Sequence, residues 1–251
     1  MSDGIFDAGV AATYDADCAA MFADDVVGPT VDLLAELAAG GPALELAIGT
    51  GRIALPLRER GVEVAGIDIS QAMIGRLRAK PGGDGVPVAV GDMATTGAPG
   101  RFRLVYLVFN SITNLLTQDR QVACFRNAAA HLEAGGRFVV EVFVPPLRRL
   151  PVGERFLVAD VSDRHIGIDE LDVAEQLLTS HHWWADTGGG RRRFESTHRY
   201  AWPTELDLMA RLAGMTLRHR WSGWRREPFT GESTTHVSVW ETRRDRPATP
   251  C

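Results

Sequence analysis

Three carboxylates close three successive β-rich runs: Glu45 in Leu44-Glu45-Leu46, Asp68 in Gly66-Ile67-Asp68-Ile69-Ser70, and Asp92 in Gly91-Asp92-Met93. After the first run, Gly49-Thr50-Gly51-Arg52 makes a glycine-containing turn into a helix, where backbone can approach a ligand closely and helix N–H groups point at it. Asp68 follows Gly49 by nineteen residues and is placed to accept hydrogen bonds from both hydroxyls of a ribose. Asp92 is placed to accept from an adenine amino group. The chemistry indicated is the binding of an adenosine-bearing ligand. Gly49-Thr50-Gly51-Arg52-Ile53-Ala54 also matches the G-x-G-x-x-G/A dinucleotide fingerprint, which leaves an NAD-dependent oxidoreductase as one reading. Glu45 opposes it, because a carboxylate near the turn repels a pyrophosphate. S-adenosylmethionine carries an ammonium, a sulfonium and no phosphate, and suits Glu45 well.

Methyl transfer from a sulfonium is a one-step displacement that alignment alone can drive, and a base helps when the acceptor is a hydroxyl or a protonated amine. Histidine is the usual base near neutral pH. Six of the seven histidines concentrate towards the C-terminal third: His165, His181, His182, His198, His219 and His236. His198 is the leading catalytic candidate, since it shares a strand face with Phe194, Ser196, Tyr200 and Trp202; a hydrogen-bonded structural role is the competing reading. His181 is the second. It and His182 occupy opposite faces before Trp183-Trp184, and parity does not say which points inward. His236 reads as a solvated strand residue. The tryptophans offer either an aromatic wall for the acceptor or simple packing of one layer on another. Arg191-Arg192-Arg193 reads as a solvated turn or an anion contact, and Glu141 as a buried acid that meets the acceptor or pairs with an arginine.

The elements that must position these groups alternate in type. Residues 43–47, 62–67, 86–90, 104–109 and 137–144 read as strands, and residues 52–60, 70–79 and 118–132 as helices, with Ser70 an N-cap and Gly61 and Gly135 stops. That alternation argues a parallel sheet covered by helices on both faces. Residues 26–39 read as a helix, and residues 5–22 as a weaker one, the N-terminal part packing over one edge. After Pro145-Pro146 the alternation stops. Residues 147–202 read as an inserted unit of two or three strands, including a hairpin that turns at Asp186-Thr187-Gly188-Gly189-Gly190. A helix opens at Pro203 and stops at Gly214, two β-rich runs follow at 215–224 and 234–242, and residues 243–251 read as a tail. The organisation is thus one domain: a helical cap over 1–40, a cofactor-binding core over 42–144, a β-rich acceptor cap over 147–202, and the last helix and strands over 203–243.

In Glu45-Leu46-Ala47-Ile48-Gly49-Thr50-Gly51-Arg52, Gly66-Ile67-Asp68-Ile69-Ser70-Gln71-Ala72-Met73 and Gly91-Asp92-Met93, the chain resembles the class I S-adenosylmethionine-dependent methyltransferases, particularly bacterial small-molecule members. The resemblance continues through residues 109–115 and 135–138 and, more loosely, through the last strands. It implies a doubly wound, mostly parallel seven-stranded α/β sheet, Rossmann-like, with an antiparallel last strand and the inserted small antiparallel sheet. It implies that Glu45, Gly49 and Gly51 surround the methionine moiety, that Asp68 binds the ribose, that Asp92 and Met93 bracket the adenine, and that Asn110 lines the pocket near the sulfonium. Tyr14 resembles an N-terminal tyrosine that covers the cofactor's carboxylate. Two positions depart from the family pattern: Ala47 replaces a usual glycine, and Asn114 stands where related aminosugar N-methyltransferases carry histidine.

Composition bounds these readings. The chain has 251 residues, and Lys+Arg 27 against Asp+Glu 32 leave a net charge of −5, which opposes the basic footprint of nucleic-acid binding. Cys18, Cys124 and Cys251 lack metal-ligand spacing and do not form a disulfide framework. No metal site is expected. The acidic N-terminal stretch lacks a signal-peptide pattern and no run reaches a membrane span, so a cytoplasmic protein is expected. The function expected is methyl transfer to O or N of a small-molecule acceptor; an oxidoreductase, or a noncatalytic protein that only binds S-adenosylmethionine, is the alternative. The acceptor and the oligomeric state carry no signature here.

Overall fold

The computed structural model describes residues 6–185 and 190–243. A seven-stranded sheet is built from β1 (Ala43–Leu46), β2 (Val64–Asp68), β3 (Val88–Val90), β4 (Phe102–Leu107), β5 (Leu132–Phe143), β10 (Met215–Trp221) and β11 (Thr235–Thr242). Their order is β10-β11-β5-β4-β1-β2-β3, with β3, β2, β1, β4 and β5 parallel and β11 antiparallel to both neighbours. The mostly parallel sheet and the antiparallel last strand are as the sequence indicates.

Strand alternation assigns the two faces. In β4 and just beyond it, Leu104, Tyr106 and Val108 pack with helices α2 (Asp24–Ala38) and α3 (Ala54–Glu59), whereas Val105 and Leu107 pack with α5 (Gln118–His131) and α6 (Pro203–Leu212). Residues such as Leu34 and Phe125 are fully buried, each stabilising the fold by roughly 1.5–3 kcal/mol. Ser70 caps α4 (Gln71–Arg78) by accepting the Met73 amide, as read, and Thr117 caps α5 through the Arg120 amide. Gly135 is no helix stop: α5 ends at His131 and β5 begins at Leu132, so Gly135 lies inside the strand with φ 72°.

The N-terminal segment is a helix α1 (Ala8–Asp17) followed by a separate 3₁₀ turn (Ala19–Phe22). Asp15 accepts the Thr50 hydroxyl at 2.6 Å and pairs with Lys80 at 2.6 Å, and the Ser70 hydroxyl donates to the Phe6 carbonyl at 2.6 Å. These bonds hold α1 beside the glycine turn, above the carboxyl ends of β1 and β2.

The inserted unit has four strands rather than two or three: β6 (Phe156–Val161), β7 (His165–Asp172), β8 (Leu177–Ala185) and β9 (Arg191–Arg199), antiparallel in that order. The β8–β9 hairpin is present, while residues 186–189 of its turn, like residues 244–251 of the tail, lie outside the described residues. Leu157, Leu171, Leu178 and Tyr200 pack the small sheet onto Phe143, Leu147 and Leu150. Arg199 anchors its last strand, donating to Gln121 on α5 at 2.6 Å and to Glu205 on α6 at 2.9 Å. Each charge has a partner, which offsets the cost of its burial. Among the described residues no helix is long and apolar enough to cross a membrane.

Candidate functional site

At the carboxyl end of β1 the chain turns through Ala47, Gly49 and Gly51, all with positive φ (56°, 55° and 80°). Gly49 donates its amide to Asp68 Oδ2 at 2.7 Å, and Ser70 donates its amide to Asp68 Oδ1 at 2.8 Å. The carboxylate that ends β2 is thereby locked under the glycine turn. Asp92, past β3, accepts the Ala94 amide at 2.8 Å and pairs with Arg120. Burial pulls its carboxyl upward, but those donors prevail and hold it below the usual carboxylate range. Asp68 and Asp92 thus stand at neighbouring strand ends, as the sequence indicates.

Glu45 stands elsewhere. It shares strand parity with Ala43, so it points into the layer between the sheet and α3 rather than out of the strand end. It is 3% exposed, Tyr106 Oη donates to its Oε2 at 2.9 Å, and burial raises its pKa to about 8. A carboxyl group so placed stiffens the floor of the turn and is not among the residues that line the cleft. Met93 is also a core side chain, 1% exposed. Gly51 answers to packing: a Cβ there would come 2.3 Å from Leu77 Cδ1. At Gly49 an added Cβ meets Met73 Cε at 3.7 Å and the Ala47 carbonyl oxygen at 4.0 Å, both ordinary contacts, so its positive φ is what requires glycine.

A cleft of about 1660 Å³ opens between α1, the turn after β4 and the inner face of the inserted sheet, and Gly49, Gly51, Asp68 and Asp92 are not among its lining residues. Tyr14 and Asn110 line it, and so does His198. Burial raises the Tyr14 phenol to about 12, so it enters the cleft as a neutral donor. Asn110 has φ 60° and accepts the Phe143 amide at 2.8 Å through its side chain, which ties the β4 turn to the end of β5. His198 Nδ1 lies 3.2 Å from Thr113 Oγ1 and Nε2 lies 3.0 Å from Ser196 Oγ. Desolvation lowers the His198 pKa against the pull of Asp169, favouring a neutral ring with both nitrogens in hydrogen bonds.

His181 is turned away from the cleft: its ring lies 3.1 Å from Glu195 and 3.4 Å from Glu170, on the outer face. The inward residue is His182, because the cross-strand register puts it opposite Gly167 and Phe194 on the face that also carries Asp169, Ser180 and Ser196. That choice depends on which face of the four-stranded sheet meets the core, a tertiary fact that parity along one strand does not contain. His182 and His198 lie four positions apart in register, roughly 13 Å along the strands, so they serve different parts of the cleft. His236 is fully buried rather than solvated, and desolvation lowers its pKa to about 3.

The aromatic wall is partial. Trp184 and Trp202 line the cleft, while Trp224 donates its indole N–H to Glu141 at 2.8 Å and belongs to the core side. Glu141 also accepts the Phe109 amide at 2.9 Å, and it is not among the residues that line the cleft. Arg192 stacks over Trp184 at 4.6 Å and approaches Asp17 of α1 at 3.9 Å, closing the rim.

Residues 43–136 match the family described as Methyltransferase domain. The CcbJ methyltransferase from Streptomyces caelestis has a similar structure, with TM-score 0.78 and 39% identity, covering 86% of this chain and 88% of that one. The cypemycin N-terminal methyltransferase of Streptomyces sp is 26% identical over 208 residues, 80% of this chain and 83% of that protein. The fold is shared with CalS10, an S-adenosylmethionine-bound amino pentose methyltransferase from Micromonospora echinaspora, with TM-score 0.64 and 20% identity, covering 86% of this chain and 90% of that one.

Proposed function

Because this chain belongs to the class I S-adenosylmethionine-dependent methyltransferases, we propose that it methylates an amine nitrogen of a small organic acceptor seated in the cleft under the inserted sheet. The carrying observation is that Asp68 and Asp92 stand at neighbouring strand ends and that α1 joins them to the cleft, Asp15 holding Thr50 of the glycine turn while Tyr14 of the same helix lines the cleft. A donor set of carboxylates, backbone amides and positive-φ glycines fits hydroxyls, an amine and a sulfonium, and fits a pyrophosphate poorly. The fingerprint for a dinucleotide therefore describes the turn but not the ligand.

S-adenosylmethionine supplies an activated methyl group, ready for direct displacement, when bound. The chain's own residues then act by holding and aligning. Asp68 would accept from the ribose hydroxyls, Asp92 from the adenine amino group, and the Gly49 and Gly51 turn would bring backbone close to the methionine part. Glu45 would act beneath this turn, through its fixed hydrogen bond to Tyr106, and not by direct contact. Tyr14 and Asn110 would border the reacting groups from α1 and from the β4 turn. His198, held by Thr113 and Ser196, would present a neutral ring to the acceptor and orient it. The faces of Trp184 and Trp202 would cover the acceptor's apolar part and exclude water.

An amine is favoured over a hydroxyl because relatives act on amines by name, one on a peptide N-terminus and one on an amino pentose, and because the cleft combines aromatic faces with Asp17 and Asp169. The test is calorimetry with S-adenosylmethionine, S-adenosylhomocysteine and NADH, followed by assay of S-adenosylhomocysteine release with panels of aminosugars, amino acids and phenols. Binding of the first two ligands and turnover on amines support the reading. Turnover confined to phenols replaces nitrogen by oxygen, and binding without turnover on any panel reduces the protein to a cofactor-binding module.

A further inference from the structure

His182 reaches the cleft at the end of a chain of hydrogen bonds. Its Nδ1 lies 2.9 Å from His165 Nε2, and His165 Nδ1 lies 2.7 Å from Asp160 Oδ2. The two imidazoles are nearly parallel, 15° apart, with centroids separated by 5.1 Å, which is what an in-plane N–H···N bond leaves once the two ring radii are added. Trp184 packs along both rings, with centroids 4.7 Å from His165 and 5.3 Å from His182. Exposure rises along the chain: the His165 side chain is 19% exposed and that of Asp160 60%.

Two features of the small sheet make this alignment possible. Between Val158 and Asp160 the register of β6 against β7 shifts, and such an irregularity re-aims the side chain that follows it. Asp160 thereby pairs with Gly167 and comes onto the face that carries His165. At Gly167 a Cβ would stand 3.3 Å from His182 Nδ1 and 3.5 Å from the Asp160 amide, so glycine leaves the room in which the rings lie flat.

We propose that Asp160, His165 and His182 form a proton relay that carries the proton displaced from the acceptor out of the cleft to the surface of the inserted sheet. The proposal rests on the methyl-transfer reading above and assigns His182 the task of base. Asp160 fixes the His165 proton on Nδ1, His165 Nε2 then accepts from His182 Nδ1–H, and the His182 Nε2 lone pair is left for the cleft. When the acceptor nitrogen gains a methyl it holds one proton too many. His182 Nε2 takes that proton, His182 Nδ1–H passes to His165 Nε2, and His165 Nδ1–H passes to the Asp160 carboxylate, which releases it to water. One proton enters and one leaves, with no redox change, and solvent exchange restores the tautomers between turnovers. The charged or titratable groups around His182 are His165 and Asp169 on β7, Asp160 on β6 and His181 on its own strand. Desolvation, reinforced by His165, lowers the His182 pKa against the pull of Asp169 and Asp160, so the ring is neutral at pH 7.

The experiment is long-range ¹H–¹⁵N NMR of the histidine-labelled full chain, with His165→Gln and His182→Gln for assignment and Asp160→Asn as the test, each also titrated with S-adenosylhomocysteine by calorimetry. The expected result is that both His165 and His182 carry the neutral-state proton on Nδ1 in the wild type. Asp160→Asn is expected to move the His182 proton to Nε2 and to weaken its proton affinity about tenfold, with cofactor affinity unchanged. A wild-type His182 protonated on Nε2, or an Asp160→Asn protein with unaltered His182 tautomer and titration, overturns the relay. A network that merely stiffens the sheet would give the same tautomers but leave the pH dependence of kcat unchanged in Asp160→Asn, whereas the relay requires that profile to shift with the His182 titration; an unshifted profile overturns it. Loss of S-adenosylhomocysteine binding in the wild type would instead strike the methyl-transfer reading, while the tautomers would still decide the relay's geometry.

Discussion

Thr113 Oγ1 lies 3.2 Å from His198 Nδ1 although the two residues are 85 positions apart in the chain. The contact joins the turn that follows β4 to the last strand of the inserted sheet, and it fixes where the cleft begins. Thr113 also donates to the Asn110 carbonyl at 2.8 Å, so the turn, the cleft residue Asn110 and the imidazole move as one unit.

Both His198 nitrogens are engaged by Thr113 and Ser196, so His198→Ala removes a packed ring face; it should raise the acceptor KM about fivefold, or about 1 kcal/mol, and leave S-adenosylhomocysteine affinity within about twofold. Desolvation holds this ring below the usual histidine pKa. Acceptor binding is therefore retained above that range and lost as pH falls into it. Steady-state rates across pH, with His198→Gln as the non-titrating control, check both points.

Asp68→Asn replaces a carboxylate that accepts two backbone amides with a group that accepts less well and cannot carry charge. Charge-assisted hydrogen bonds are worth about 1.5–3 kcal/mol. Calorimetry should show a loss of roughly 10- to 100-fold in S-adenosylhomocysteine affinity, with the folded state retained.

Gly51→Ala and Gly49→Ala separate packing from backbone conformation. The first forces a Cβ to 2.3 Å from the buried Leu77 at φ 80° and should cost about 3 kcal/mol, from backbone strain plus overpacking. The second adds a Cβ at an ordinary 3.7 Å from Met73 and should cost about 1 kcal/mol, for backbone strain alone. Denaturant unfolding of the two variants measures the difference.

Stability should depend on pH through two buried groups of opposite sign. His236 has a folded-state pKa of about 3 against 6.5 for the ordinary residue. The unfolded chain binds the extra proton in that window, so its contribution is lost as pH falls from 6.5 towards 3. Glu45 has a folded-state pKa of about 8 against 4.5. Here the folded chain binds the extra proton, and stability is lost as pH rises from 4.5 to 8. Each slope approaches about 1.4 kcal/mol per pH unit. Unfolding free energies of His236→Gln should flatten on the acid side, and those of Glu45→Gln should exceed wild type above pH 8.

The central sheet was legible because its signals are local. Ser70 capping α4, Pro203 opening α6 and the alternating apolar residues of β4 each act within a few positions. Strands β6 and β7 were not separable by pattern. In β6 only Leu157 is buried, so the strand lacks the alternation that marks a half-buried face. The same weakness hid β5's early start, where Gly135 sits inside the strand at φ 72°.

Residue type and spacing alone located the carboxylates that end β2 and follow β3, the glycines whose φ is positive, and a turn feeding a helix. These are properties of short segments, and a period of two or 3.6 residues carries them. The packed structure was needed to turn His182 inward and His181 outward, to bury Glu45 against a tyrosine 61 residues away, and to bring Asp160 onto the His165 face through an irregular strand pairing. Periodicity divides a strand into two faces but does not say which one is covered, because that is settled by neighbours distant in the chain.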